Sequence, residues 1–95
     1  MRIVFLRSAR SDLDWFRDYY SRIFREGGKN AATRYKATKK ALAAYPAIGQ
    51  ESDEPGLREL PIPKTPFSII YRITDSEIQV LRLWDQRSQR PDSWT

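Results

Sequence analysis

The sequence predicts an α+β fold: an N-terminal strand, an antiparallel helical hairpin and then a three-stranded antiparallel meander, forming a four-stranded sheet covered on one face by two helices. Three strand-like runs lead to this reading: LRELPI at 57–62, FSIIYRI at 67–73 and EIQVLRLW at 77–84. They are separated only by Pro63-Lys64-Thr65-Pro66 and Thr74-Asp75-Ser76, lengths and compositions that suit hairpins rather than crossovers. Alternation adds a second observation. Phe67, Ile69, Tyr71 and Ile73 fall on one face against Ser68, Ile70 and Arg72, and Ile78, Val80, Arg82 and Trp84 oppose Gln79, Leu81 and Leu83. One face is apolar and the other mixed, so the sheet needs a cover on one side only. The third observation is that the first half of the chain carries two apolar stripes at helical spacing, enough to supply that cover.

The elements follow in order. The run at 2–6 is short, apolar and β-branched, a strand to join the meander as its fourth member. Ser8 or Ser11 can cap the first helix, with Asp12 and Asp14 in its first turn, where the helix dipole favours carboxylates. Its stripe is Leu13, Phe16, Tyr20 and Ile23, flanked by Trp15, Tyr19 and Phe24. Gly27-Gly28 is expected to stop it through a left-handed cap residue, and Asn30 to open the second helix. There Ala31, Tyr35, Thr38, Leu42 and Tyr45 line one side until Pro46 forbids continuation. Residues 46–56 read as a loop, with Ile48 anchoring under the hairpin and Glu51, Asp53 and Glu54 solvated. Residues 85–95 are polar and aperiodic apart from Trp94, a C-terminal tail on a single domain spanning 1–95.

Composition narrows the chemistry. The chain has no cysteine and no histidine, which removes thiolates, disulfides and imidazole bases or zinc ligands together. Any catalysis would fall to Arg, Lys, Tyr, Asp or Glu. No run reaches the length of a membrane span, and Arg2 and Arg7 within the first run argue against a signal peptide, so a cytoplasmic protein is expected. Charge is uneven: residues 1–45 hold 11 Lys/Arg against 4 Asp/Glu, and residues 46–95 hold 6 against 8. A basic surplus confined to one half suggests an acidic partner.

Neither Gly27-Gly28 nor Gly49 has the strand before it and the Lys-Ser/Thr after it that a phosphate loop requires. No carboxylates are spaced as an acid and base on one element, and neither metal nor cofactor is expected. The remaining constellation is basic. Arg58, Arg72 and Arg82 lie on successive meander strands with Arg87 and Arg90 just beyond. Gathered on one face they could hold a phosphodiester and stabilise charge on it; equally, the first three could pair with Glu59, Asp75 and Glu77 as ordinary cross-strand ion pairs. Arg10, Arg17, Arg22 and Arg25 lie outside the first helix's stripe, as a solvated face or a binding face.

Ser8-Ala9-Arg10-Ser11-Asp12-Leu13 with Tyr19 or Tyr20, Tyr45-Pro46 to Gly49, Leu57-Arg58-Glu59-Leu60, Tyr71-Arg72 within FSIIYRI, and residues 78–87 together resemble the RelE/ParE superfamily of toxins from type II toxin-antitoxin pairs. The resemblance covers nearly the whole chain. It implies a growth-arresting toxin in a hetero-oligomer with a cognate acidic antitoxin, partly disordered until it folds over the toxin. One branch of the superfamily cleaves messenger RNA on the ribosome without a metal, using Lys, Arg and Tyr; the ParE-like branch is associated with DNA gyrase. RNA-cleaving members often carry an arginine where this chain has Ser68, and many relatives end the last strand in a histidine where it has Asp85. The resemblance therefore points to the gyrase-binding branch. Residues expected to bind target or antitoxin are Arg10, Trp15, Arg17, Arg58, Arg72, Arg82, Arg87 and Arg90. A ribosome-dependent endoribonuclease is the alternative, with Arg58, Arg72, Arg82 and Arg87 on the phosphate and Tyr71 for proton transfer.

Overall fold

The α+β arrangement forms as the sequence predicts, with a longer sheet. The computed structural model describes residues 1–94. Strands β1 (Arg2–Phe5), β2 (Gln50–Glu51), β3 (Arg58–Pro61), β4 (Phe67–Ile73) and β5 (Glu77–Asp85) make one sheet in the order β1-β5-β4-β3-β2. β3, β4 and β5 are the antiparallel meander, and β1 adds to β5 in parallel, Ile3 opposite Ile78 and Phe5 opposite Val80. β2, within the segment expected to be loop, is the additional strand. Gln50 and Glu51 pair with Glu59 and Arg58, a two-residue ladder too short to leave any periodicity in the sequence.

Both helices cover the apolar face. α1 (Arg7–Asp18) supplies Ala9 and Phe16, and α2 (Gly28–Ala44) supplies Ala31 and Leu42, to a core with Phe67, Ile69, Tyr71, Ile78, Val80 and Leu83. Phe16, Tyr20 and Phe67 pack as an aromatic cluster with centroids 5.0 to 6.2 Å apart. α1 begins a residue before either expected serine: Leu6 takes the cap position without a side-chain cap bond. Asp12 therefore lies mid-helix rather than in the first turn, which frees it for another task.

The hairpin turn departs further. Residues Tyr19–Ile23 form a π-helical turn, in which the Phe24 N–H donates to Tyr19 O at 2.8 Å. The wider turn shifts the helical phase, so Ile23 and Phe24 leave the buried stripe and stand 62% and 45% exposed. Arg25–Gly27 is a single 3-10 turn that leads directly into α2. Neither glycine is left-handed: Gly27 has φ −85° and Gly28 φ −61°, and α2 starts at Gly28, not at Asn30. These residues are glycine for closeness instead, since a Cβ on Gly28 would lie 2.9 Å from Tyr20 O. Pro46 ends α2 as expected, and residues Pro46–Ile48 make one more 3-10 turn. Tyr45 and Ile48 are exposed there rather than buried in the stripe or beneath the hairpin.

One irregularity decides which side chains reach the helices. The β4/β5 register slips beside Ile70, which faces Arg82, whereas Tyr71 faces Val80, so Leu81 is the extra residue of a β-bulge. A bulge reverses the alternation beyond it. Ile78, Val80 and Leu83 face the helices, and Leu81 and Trp84 join Ile70 and Leu57 on the other side, not the grouping that strict alternation predicts. The tail folds against this second cluster, the Trp94 ring meeting Trp84 edge-on at 5.1 Å. Among the described residues no helix is long and apolar enough to cross a membrane.

Candidate functional site

The end of β5 meets the C-terminal end of α1 and the turn after it, and a polar cluster forms there around Asp85 and Arg87. Arg87 folds back onto Asp85 with its Nε donating to Oδ1 at 2.9 Å and Nη2 to Oδ2 at 2.7 Å. The Arg87 N–H adds a third bond to Oδ1 at 3.0 Å, and Nη1 donates to Tyr19 Oη at 2.9 Å while the guanidinium lies 4.5 Å over the same ring. Trp15 Nε1 approaches Asp85 Oδ2 at 3.5 Å. The Arg87 hydrogen bond holds the Asp85 carboxyl below its ordinary range, against an opposing push from burial, and Asp85 raises the pKa of Arg87 in turn. Bidentate geometry of this kind is what a guanidinium offers to a carboxylate or a phosphate alike. Here the chain's own carboxylate occupies it.

A second clasp lies one turn earlier on α1. Arg82 Nε and Nη2 donate to Asp12 Oδ2 and Oδ1 at 2.7 and 2.9 Å, and the Leu83 N–H donates to Asp12 Oδ2 at 3.0 Å. Asp12 thus satisfies a backbone donor of β5 beyond the last residue paired with β1 and fixes α1 to β5.

The other expected arginines are distributed rather than gathered. Arg58 donates to Gly49 O at 2.8 Å and Ala47 O at 3.3 Å, with Glu51 at 3.6 Å, tying the segment before β3 to the sheet. Arg90 forms a two-pronged pair with Glu59 at 2.6 and 3.1 Å. Arg72 donates Nε to Gln79 Oε1 at 2.7 Å. None of the cross-strand pairs considered from sequence forms: Glu59 takes Arg90, and Glu77 takes Arg2. Tyr71 is fully buried; its hydroxyl donates to Pro46 O at 2.6 Å and accepts from Gly49 N–H at 2.8 Å. Burial raises its pKa, so this phenol is a brace rather than a proton-transfer group open to substrate. Gly49 is required beneath it, since a Cβ there would lie 2.6 Å from the hydroxyl.

On α1, Trp15 is 43% exposed and Arg17 is exposed, while Arg10 Nε donates to Phe5 O at 3.3 Å. Trp15 and the displaced Phe24 flank the Tyr19 ring, with centroids 6.1 and 6.4 Å from it, whereas Arg17, two residues from Trp15 on the helix, lies toward Tyr35 of α2. Sequence reasoning missed Asp12 and Tyr19 as partners, and misplaced Ile23 and Phe24; only a bulge or a π-turn assigned in advance would have revealed them.

A meander sheet extended by a parallel N-terminal strand under a helical hairpin is consistent with the RelE/ParE-like fold of small α+β toxins. The family described as the ParE toxin of the type II toxin-antitoxin system, parDE, matches residues 3–90, and the chain belongs to it. A solved structure of the chromosomal ParDE TA system from P. aeruginosa is 34% identical, with a TM-score of 0.69, covering 87% of this chain and 92% of that one. None of the curated proteins compared with the chain matches it.

Proposed function

We propose that this ParE-family chain is a growth-arresting toxin that binds DNA gyrase, without cutting RNA, and is neutralised by a cognate acidic antitoxin. The observation that carries this reading is the Asp85 carboxylate seated in the Arg87 fork, where a nuclease would need that guanidinium free for phosphate. The buried, doubly bonded Tyr71 hydroxyl supports it, because that phenol is committed to Pro46 O and Gly49 N–H and is closed to a substrate. The similar P. aeruginosa protein, part of a ParDE TA system, supports an antitoxin as the partner. The target contact falls on Trp15 of α1 and on Ile23 and Phe24 of the turn that follows it, exposed large apolar side chains of the kind that anchor interfaces.

The test is direct. Purified protein added to gyrase and relaxed plasmid should inhibit supercoiling or trap cleaved DNA, and Trp15→Ala should weaken the effect by about tenfold or more. Expression should arrest growth, and co-expression of the adjacent antitoxin should relieve it. Absence of any effect on gyrase at stoichiometric excess, together with cuts on programmed ribosomes, would reverse the assignment.

A further inference from the structure

A groove of about 380 Å³ opens between the first residues of α1 and the second apolar cluster of the sheet, lined by Leu6, Arg7, Ser8, Arg72, Leu81 and Trp94. Its two arginines differ from the others on the strands. Arg58, Arg82, Arg87 and Arg90 each pair with a carboxylate, whereas among the described residues neither Arg7 nor Arg72 has one within ion-pair distance. Arg72 is nonetheless held in place. Gln79 accepts its Nε at 2.7 Å and donates its own amide to Glu77 Oε2 at 2.9 Å, and Glu77 is itself paired with Arg2. A neutral amide thus stands between the guanidinium and Glu77. The side chain is oriented without being neutralised, and its Nη1 and Nη2 donors remain for an external acceptor. Beside this charge lies an apolar floor: Leu6 and Leu81 pack in the second cluster with Ile70, Leu57 and Trp84.

We infer that this groove is a docking site for a peptide segment of a partner protein that places a carboxylate beside a large apolar side chain. The carboxylate meets Arg72 and Arg7, and the apolar group lies on Leu6 and Leu81. A single-stranded nucleic acid fits less well. It would need a track of cations and an open aromatic platform for its bases, but Trp94 already carries the Arg90 guanidinium at 5.0 Å and meets Trp84 edge-on. Docking here is independent of what the toxin targets, so its failure and that of the gyrase reading are separable.

The probe is a fluorescein-tagged peptide alternating glutamate and leucine, titrated into the full chain and followed by anisotropy and by tryptophan emission. Binding should weaken by about tenfold in Arg72→Gln and in Arg7→Gln, each of which removes one charge-assisted contact. A peptide with glutamine for glutamate should bind at least as weakly, and Arg25→Gln, a surface change on the hairpin turn, should leave affinity unaltered. Native circular dichroism of each variant guards against misfolding. No binding up to about 1 mM peptide, binding indifferent to both arginine variants, or an oligothymidylate that binds more tightly than the peptide and loses affinity in Arg72→Gln would each overturn the assignment.

Discussion

At the scale of single residues, three side chains each tie separate segments of the chain together. Asp12 accepts from Arg82 twice and from the Leu83 N–H once. Asp12→Ala leaves a backbone donor and a partly buried guanidinium without their acceptor, and should cost about 2–3 kcal/mol in urea unfolding. Tyr71→Phe orphans Gly49 N–H and Pro46 O in a buried site; a loss of about 1–3 kcal/mol is expected, with faster hydrogen exchange at Gly49 as its local signature. Asp85 gives a pH dependence. Its carboxyl is held below the ordinary range by Arg87, so the ionised form contributes stability in full above the unfolded carboxylate value of about 4, and that contribution is lost as pH falls through the lower folded value. Asp85→Asn should therefore be less stable than the parent by about 1 kcal/mol near neutral pH. The gap between the two should close in acid, a trend that urea unfolding across the pH range would read.

At the scale of elements, the hairpin turn separates two glycines that sequence reasoning treats alike. Alanine is the better helix former by about 1 kcal/mol, so Gly28→Ala would stabilise α2 were propensity decisive. Its Cβ would instead lie 2.9 Å from the Tyr20 carbonyl oxygen, a backbone atom that cannot step aside, and a net loss of about 1–2 kcal/mol is expected. At Gly27 the obstacle is the exposed Phe24 ring, which can rotate away, so Gly27→Ala should change the melting temperature little. The same contrast explains what was legible in advance. The β4 bounds, the Pro46 stop, the two-helix cover and the N-terminal strand follow from patterns that persist over several residues. The π-turn at Tyr19–Ile23 and the bulge at Leu81 each insert a single residue into a regular repeat. A one-residue shift leaves the composition of the repeat unchanged and reverses its faces, which is why Leu83, Trp84 and Ile23 were placed on the wrong side while the elements carrying them were not.

At the scale of the whole molecule, the sheet has opposite charge at its two edges. Beside β1, the Met1 amine, Arg2, Lys36, Lys39 and Lys40 cluster where α2 passes the edge; beside β2, Glu51 and Asp53 stand exposed. The uneven distribution of charge was visible in the sequence, but its polarity across the sheet depends on the order β1-β5-β4-β3-β2, which puts the first strand and the short second one at opposite ends. A field of this kind acts on encounter more than on final affinity, and salt screens it over about 8 Å at physiological ionic strength. An acidic chain should therefore be drawn to the β1 edge. With polyglutamate as the probe, stopped-flow association should slow by about tenfold or more between low and high salt. Replacing Lys36, Lys39 and Lys40 by glutamine should remove most of that salt dependence while leaving thermal stability unchanged, because Lys36 and Lys40 are exposed and Lys39 reaches only over the Phe5 and Tyr35 rings. Replacing Glu51 and Asp53 by glutamine should raise the rate only slightly, since those charges lie at the far edge. Equal effects from both edges would mean that net charge alone, and not its placement by the fold, governs the approach of an acidic partner.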